Sequence, residues 1–196
     1  MKVLIACEYS GRVRTAFAAL GHDVWSADFE PAEDGSDRHY QGDCFDLIDG
    51  QHFDLMICHP PCTHLAVSGA RHFPAKRADG RQQAALDFVR RLLGAQIERI
   101  ALENPISIIS TAIRKPDQII QPWQFGHGET KATCLWLKNL PPLKPTKIVE
   151  GRENKVHRMP PGPNRWKDRS RTYIGIAGAM AEQLGKLNEA LNGEQQ

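Results

Sequence analysis

The chain has 196 residues, of which 41% are hydrophobic and 24% charged, with a formal net charge of +2. This length suits a single domain, and this composition excludes a largely disordered or fibrous protein. No apolar run approaches the roughly 20 residues that cross a bilayer, so we expect no membrane segment. The small net charge neither requires nor excludes a nucleic-acid partner.

The first half of the chain alternates between short apolar runs and segments with helical spacing. Strands are expected at residues 2–7, 23–27, 53–58 and 99–102, and helices at 13–20 and 83–95. The polar residues 30–42 and the glycine- and cation-bearing residues 63–80 are expected to be loops, the second of them mobile. This order predicts right-handed crossovers and a mostly parallel α/β sheet with helices on both faces.

The second half of the chain contains one more strand, a basic segment and a final helix. The strand is expected at 131–137, and residues 150–171 combine several prolines with many cations. A helix is expected at 176–191, where one apolar stripe contains Ala177, Met180, Leu184, Leu187 and Leu191. We therefore divide the chain into a core at 1–149, a basic segment at 150–171 and a C-terminal helix at 172–196 that packs back on the core.

The five cysteines are an odd number, and two of them, Cys7 and Cys58, lie inside apolar runs. This usage is typical of free thiols in a reducing compartment rather than of a disulfide framework. An acidic residue, Glu8, follows the first apolar run too soon for a secretory signal peptide. We therefore expect a cytoplasmic protein.

The residues that could carry chemistry follow predicted parallel strands, whose carboxyl ends are where open α/β sheets bind ligands. The first strand leads into a turn of five residues that allows close ligand approach: Cys7, Glu8, Tyr9, Ser10 and Gly11. Asp28 ends the second strand, where a carboxylate can accept hydrogen bonds from ribose hydroxyls. An ordinary glycine turn and a surface carboxylate are the plain alternatives.

A thiol and a carboxyl group follow the next two strands. Pro60 and Pro61 end the pairing of the third strand, so the Cys62 thiol lies outside the core and is positioned for nucleophilic attack. The plain alternative, a small buried hydrophobe, fits the other cysteines better. Glu103 ends the fourth strand, and a single crossover helix would place the two strands side by side.

A metal site is a further alternative, because Cys58, His59, Cys62 and His64 crowd together. Adjacent residues of a strand point to opposite faces, however, and no second Cys/His pair follows at zinc-site spacing. The sequence therefore predicts no bound metal.

A thiol beside a carboxyl group at a nucleotide-like site favours a reaction at C5 of cytosine. Addition of a thiolate to C6 makes C5 nucleophilic, and a carboxyl group at N3 and the exocyclic amine stabilises the adduct and selects cytosine. Attack on a sulfonium methyl group, loss of the C5 proton and elimination of the thiolate complete the cycle.

Taken in chain order, these motifs resemble the DNA cytosine-5 methyltransferase family, in particular its compact bacteriophage-type members. Pro61-Cys62 matches the family's Pro-Cys nucleophile motif, and Glu103-Asn104-Pro105 matches its Glu-Asn-Val or Glu-Asn-Pro motif. The resemblance implies a Rossmann-like, S-adenosylmethionine-dependent methyltransferase fold. It also implies Cys62 as nucleophile and Glu103 as the carboxyl group that holds the cytosine.

The resemblance extends to the cofactor. Asp28-Phe29-Glu30 matches an acidic-hydrophobic-acidic motif, which assigns Asp28 to the ribose and Phe29 to the adenine face. Gly42-Asp43 matches the motif at the adenine amine, and Gly175 lies in the motif of the final helix. The implied cofactor-binding residues are Cys7, Glu8, Tyr9, Ser10, Gly11, Asp28, Phe29, Asp43, Cys44, Pro60 and Gly175.

Two departures from the family bear on the cofactor and on DNA recognition. The family's Phe-x-Gly-x-Gly cofactor turn keeps only its last glycine, Gly11, so a modified methyl donor stays open. About 70 residues separate Glu103 from Gly175, too few for the usual target-recognition domain. A separate recognition partner or self-association therefore also stays open.

The basic segment is the expected site of DNA contact. Between Arg152 and Arg171 it carries seven Lys and Arg residues against two acidic residues, with His157 and Trp166 interleaved. Phosphate contacts would offset the cost of flipping the cytosine out of the duplex, although a solvated surface loop is the plain alternative. The expected substrate-binding residues are Pro61, Asn104, Lys131, Arg158, Arg169 and Arg171.

The mechanism also makes demands on protonation. We expect the donor and nearby arginines to lower the pKa of Cys62, and desolvation to raise the pKa of Glu103. Two other functions stay open. One is a non-catalytic DNA- or cofactor-binding protein, and the other is a pyrimidine C5-modifying enzyme that acts on RNA or a free nucleotide.

Overall fold

The computed structural model describes residues 1–186. Its strands are β1 (Lys2–Ala6), β2 (Asp23–Asp28), β3 (His39–Gln41), β4 (Leu55–Cys58), β5 (Arg99–Pro105), β6 (Gln118–Ile120) and β7 (Thr133–Lys138). Its α-helices are α1 (Arg12–Ala18), α2 (Cys44–Gly50), α3 (Phe73–Ala78), α4 (Arg81–Leu93), α5 (Ile109–Ala112), α6 (Lys155–Arg158), α7 (Arg165–Ser170) and α8 (Ile174–Leu184). No helix in this range is long and apolar enough to span a membrane.

The strands form one mostly parallel sheet, as the sequence predicted. Their order is β3-β2-β1-β4-β5-β7-β6, and the first five are parallel neighbours. β7 runs antiparallel to both β5 and β6. All four residues of β4 are buried, as is usual for a parallel strand covered on both faces.

Helices cover both faces of this sheet, which confirms the predicted layering. On one face α2 and α4 pack through side chains such as Phe45 and Leu92. On the other face α1 and α8 pack together, with Phe17 and Met180 fully buried between helix and sheet. The predicted final helix begins at Ile174, while the predicted stripe residues Leu187 and Leu191 lie outside the described residues.

Two segments predicted as loops contain regular structure. Residues 30–42 include β3, which extends the sheet because His39 pairs with Ser26 of β2 and their side chains lie 2.9 Å apart. Residues 63–80 include a 3₁₀ turn and α3, which is anchored by the buried ring of Phe73. Both segments are short and polar, so tertiary contacts rather than periodicity decide their structure.

Candidate active site

The ends of β4 and β5 bring Cys62 and Glu103 to one edge of the sheet. The two strands are parallel neighbours, with Cys58 opposite Leu102, as the single crossover helix predicted. Cys62 follows β4 by four residues and is the only free cysteine classed as exposed within residues 1–186. Pro60, two residues before it, is buried, whereas the adjacent Pro61 is exposed.

Nearby charges of both signs act on the pKa of the Cys62 thiol. Burial of the thiol among protein atoms and the carboxylate of Glu103 raise its pKa, while Lys131 and Arg169 lower it. The net result is a raised pKa, because burial and Glu103 outweigh the lowering by Lys131 and by the expected arginine, Arg169. The residue as a whole is nevertheless exposed to solvent.

Glu103 is paired with His59, a contact that the sequence did not predict. The side chains are only 9% and 14% exposed, and Nδ1 of His59 lies 3.1 Å from Oε2 of Glu103. Burial raises the pKa of Glu103, but the His59 hydrogen bond and the charge of Lys131 together bring it below its ordinary value. The expected upward shift is therefore wrong. An ionised carboxylate only accepts hydrogen bonds, so Nδ1 of His59 must carry the hydrogen.

The strand register could have revealed this pair. Cys58 is paired with Leu102, so the next residues along each strand, His59 and Glu103, project from the same face. Nε2 of His59 is buried and has no hydrogen-bond partner within the described part of the chain. The pair therefore holds one buried nitrogen whose hydrogen-bonding capacity is unused.

The side chain of Asn104 contacts the loop that carries the Cys62 thiol. Its side chain is 1% exposed, and Nδ2 donates a hydrogen bond of 2.8 Å to the carbonyl oxygen of Pro60. The sequence placed Asn104 among the substrate-binding residues, and in the structure its side chain holds this loop. Its contact fixes the backbone two residues before Cys62 and so positions the thiol.

The turn after β1 is built around Gly11 and Glu8. Gly11 has φ +70°, and a Cβ there would lie 2.6 Å from Oδ2 of Asp34 and 2.7 Å from Nη2 of Arg14. The Glu8 carboxylate is turned inward and accepts hydrogen bonds from the backbone N–H groups of Val13, at 2.7 Å, and Arg14. It also accepts a hydrogen bond from the Ser10 hydroxyl. Glu8, one of the predicted cofactor-binding residues, thus has its carboxylate engaged in capping α1.

The remaining residues of the predicted cofactor cleft follow β1, β2 and β3. Asp28 is half-buried, which raises its pKa, and Phe29 beside it is 72% exposed. Cys7 has φ +59°, and the neighbouring Cys44 thiol and burial raise the pKa of Cys7. Asp43 caps α2 by accepting a hydrogen bond of 3.0 Å from Phe45 N–H. The structure therefore brings Cys7, Asp28 and Cys44 together at the carboxyl ends of neighbouring strands.

Gly175 is required by packing at the start of α8. A Cβ at this position would lie 1.8 Å from the carbonyl oxygen of Phe125, so only glycine fits. Its N–H group donates a hydrogen bond of 3.0 Å to Nε2 of His127. This N–H group is therefore directed at a neighbouring loop.

The basic segment folds over the turn after β1. The Tyr9 ring is buried and its hydroxyl lies 3.0 Å from the Lys167 carbonyl oxygen, so Tyr9 packs under α7. Lys167 pairs with Glu30 at 2.6 Å, and Arg171 pairs with Glu33. Arg171, one of the predicted substrate-binding residues, also pairs with Asp168, so its charge is compensated within the protein.

Other cations of the segment are available for ligands. Arg158 is exposed, and neither it nor Arg169 makes an ion pair with any residue the structure describes. Nζ of Lys131 donates a hydrogen bond of 2.8 Å to the carbonyl oxygen of Arg169. In the same range, no group of three or more His, Cys, Asp or Glu residues is arranged to hold a metal ion.

Comparisons with known proteins identify the fold. Neither a scan against protein-family models nor a search of the curated proteins gives a match. Solved structures do match. One from E. coli is described as a "putative DNA modification methyltransferase encoded within prophage" and gives a TM-score of 0.51 at 18% sequence identity. The match covers 76% of this chain and 52% of that one, so the chain spans about half the length of that structure. The protein has a Rossmann-like methyltransferase fold, as predicted.

Proposed function

We propose that the protein transfers a methyl group from S-adenosylmethionine to C5 of cytosine in DNA, with Cys62 as nucleophile. The observation that carries the proposal is the juxtaposition of an exposed cysteine residue and a largely buried carboxylate at adjacent strand ends of a methyltransferase fold. The description of the structural neighbour as a DNA modification methyltransferase supports DNA as the substrate.

The residues of the cofactor cleft fit the proposed donor. The half-buried carboxylate of Asp28 suits ribose hydroxyls, and the exposed ring of Phe29 beside it suits a purine face. Asp28 makes no salt bridge with residues 1–186, so no cation competes for it there. When bound, S-adenosylmethionine supplies an electrophilic methyl group.

The protein groups act on the cytosine ring. The Cys62 sulfur bonds to C6, which makes C5 nucleophilic, and the ring regains its double bond when the C5 proton leaves and the sulfur is expelled. Because its thiol pKa is raised, Cys62 forms more thiolate as the pH increases above neutrality.

Glu103 contacts the edge of the cytosine ring that carries N3 and the exocyclic amine. An ionised Glu103 accepts a hydrogen bond from the exocyclic amine, whereas N3 is itself an acceptor and needs a hydrogen. A proton taken up by Glu103 from solvent meets this need, and it returns to solvent when the sulfur is expelled. Nδ1 of His59, 3.1 Å from Oε2, donates a hydrogen bond that holds the carboxyl group in place.

Label transfer followed by product analysis tests the proposal. Duplex DNA, single-stranded DNA, RNA and free dCMP are each incubated with the protein and methyl-labelled S-adenosylmethionine, and the nucleosides are then separated by mass spectrometry. We expect label in 5-methyldeoxycytidine from DNA, none with Cys62→Ala, and a loss of about 100-fold or more with Glu103→Gln.

Other products would contradict the proposal. Label on N4 of cytosine or N6 of adenine would exclude a C5 mechanism, and label only in RNA or dCMP would exclude DNA as substrate. If the folded protein binds the donor but transfers nothing to any substrate, the non-catalytic binding function is correct.

A further inference from the structure

An exposed tryptophan on α7 stands apart from the buried aromatic core. The Trp166 side chain is 52% exposed, whereas Trp136 is fully buried. Its indole is supported by the Tyr9 ring, with centroids 6.0 Å apart, and by Nζ of Lys167, 5.2 Å from the indole centroid. Tyr9 is itself held through its hydroxyl group, so the indole rests on a fixed support.

Trp166 lines a cavity that combines flat apolar surface with positive charge. The cavity has a volume of about 340 Å³ and is lined by Pro161, Gly162, Arg165, Trp166 and Arg169. An aromatic ring flanked by cations is the arrangement with which proteins bind unstacked nucleobases and their phosphates.

The two arginines of this cavity differ from the other cations of α7. Arg165 and Arg169 are four residues apart, a spacing that places them on one side of the helix, and neither forms an ion pair with the described residues. Lys167 and Arg171 are already paired with Glu30 and Glu33. The cavity side of α7 is therefore the side with uncompensated positive charge.

This cavity lies beside the candidate active site. Arg169 lines it, and the charge of Arg169 acts on the Cys62 thiol. The carbonyl oxygen of Arg169 also accepts the hydrogen bond from Lys131, whose charge acts on both Cys62 and Glu103. Arg169 is therefore a common neighbour of the cavity and of the candidate active site.

We infer that the Trp166 cavity binds the nucleobase next to the target cytosine, with Arg165 and Arg169 contacting the adjoining phosphates. The inference rests on the proposed function and adds a recognition element to it. Stacking on Trp166 would keep the neighbouring base out of a duplex, which favours single-stranded or locally opened DNA.

Binding measurements on short oligonucleotides test this inference. Fluorescence anisotropy gives the Kd of a single-stranded oligonucleotide with one cytosine, without donor and in a Cys62→Ala background, so that no chemistry contributes. We expect Trp166→Ala to weaken binding by about 10- to 100-fold and Trp166→Phe to retain most of it. Ile119→Ala, which removes a side chain that is also 52% exposed, should bind normally.

An abasic nucleotide next to the cytosine identifies the partner of the indole. When Trp166 is intact, the abasic nucleotide should weaken binding as much as Trp166→Ala does. The Kd with both changes together should be little higher than the Kd with either change alone. Equal Kd values for Trp166→Ala and Ile119→Ala, full additivity of the two changes, or no oligonucleotide binding would overturn the inference. Normal stacking without label on C5 would instead overturn only the proposed function.

Discussion

The register of β4 and β5 places His59 and Glu103 side by side, where they form a hydrogen-bonded pair. The pair is largely buried, and burial alone would raise the pKa of Glu103, so the imidazole and Lys131 are what keep the carboxylate ionised. Above the pKa of the unfolded carboxyl group, the pair therefore stabilises the fold. This contribution is lost as the pH falls through the lowered pKa of folded Glu103.

Replacing the imidazole should reveal this linkage. In His59→Ala, the imidazole no longer opposes the effect of burial on the Glu103 carboxylate, so the pKa of Glu103 should rise. The free energy of unfolding at pH 7 should fall by up to about 3 kcal/mol. The loss should be smaller at pH 4, where Glu103 can protonate. Urea unfolding at both pH values measures it, with His59→Gln as the control that keeps a donor. An equal loss at both pH values would exclude an ionised Glu103.

Among the elements, α1 depends on a residue outside itself. Its N-cap is Gly11, which offers no side chain, and the carboxylate of Glu8 accepts the hydrogen bonds of the second and third helical N–H groups instead. A negative charge at this end also interacts favourably with the helix dipole.

Removal of this cap should destabilise the protein. Glu8→Ala should lower the free energy of unfolding by about 1–2 kcal/mol, because two buried N–H groups lose their acceptor. Chemical denaturation measures the loss, and Glu8→Gln, which keeps one acceptor oxygen, should lose less. A wild-type midpoint for Glu8→Ala would mean that the carboxylate does not cap α1.

The basic helix α7 is joined to the loop between β2 and β3 by two ion pairs. Lys167 meets Glu30 and Arg171 meets Glu33, over separations of 137 and 138 residues. In Glu30→Gln/Glu33→Gln we expect faster amide exchange over residues 165–171 and unchanged exchange in β4. Glu98→Gln, which removes an exposed acid elsewhere, is the control. Unchanged exchange in α7 would show that these pairs do not hold it.

The sequence predicted those elements whose hydrophobic pattern lies within one continuous stretch of the chain. The central strands are uninterrupted apolar runs, and the adjacency of Cys62 and Glu103 follows from one crossover helix. The pairing of β3, the contacts of α7 and the His59–Glu103 pair depend on residues far apart in the chain. Pattern reasoning cannot find such contacts, because no local period encodes them. For the same reason the expected pKa direction for Glu103 was wrong, because the expectation did not include the contact with His59.

At the scale of the whole molecule, net charge is small and its distribution matters. Within the basic segment, acids of the core compensate Lys167 and Arg171, while Arg158, Arg165 and Arg169 have no ion-pair partner in the part of the chain that the structure describes. These three guanidinium groups are the best placed to contact phosphates.

The salt dependence of DNA binding should report these contacts. Each phosphate contact contributes about 0.7–0.9 to the slope of log Kd against log salt concentration. Replacing Arg158, Arg165 and Arg169 by Ala should therefore lower that slope by about 2–3. Lys115→Ala/Lys144→Ala, a change at two exposed cations of the core, is the control. Equal slopes for the two variants would place the DNA elsewhere.

The covalent bond between Cys62 and cytosine is the central claim, and DNA containing 5-fluorocytosine tests it most directly. Fluorine cannot leave C5 as a proton does, so the sulfur cannot be expelled after methyl transfer. In the presence of S-adenosylmethionine we expect a stable protein–DNA species with one added methyl group, linked at Cys62 by peptide mass spectrometry and absent in Cys62→Ser. If the folded, donor-loaded protein forms no such species, or Cys62→Ser still forms it, the thiol is not the nucleophile.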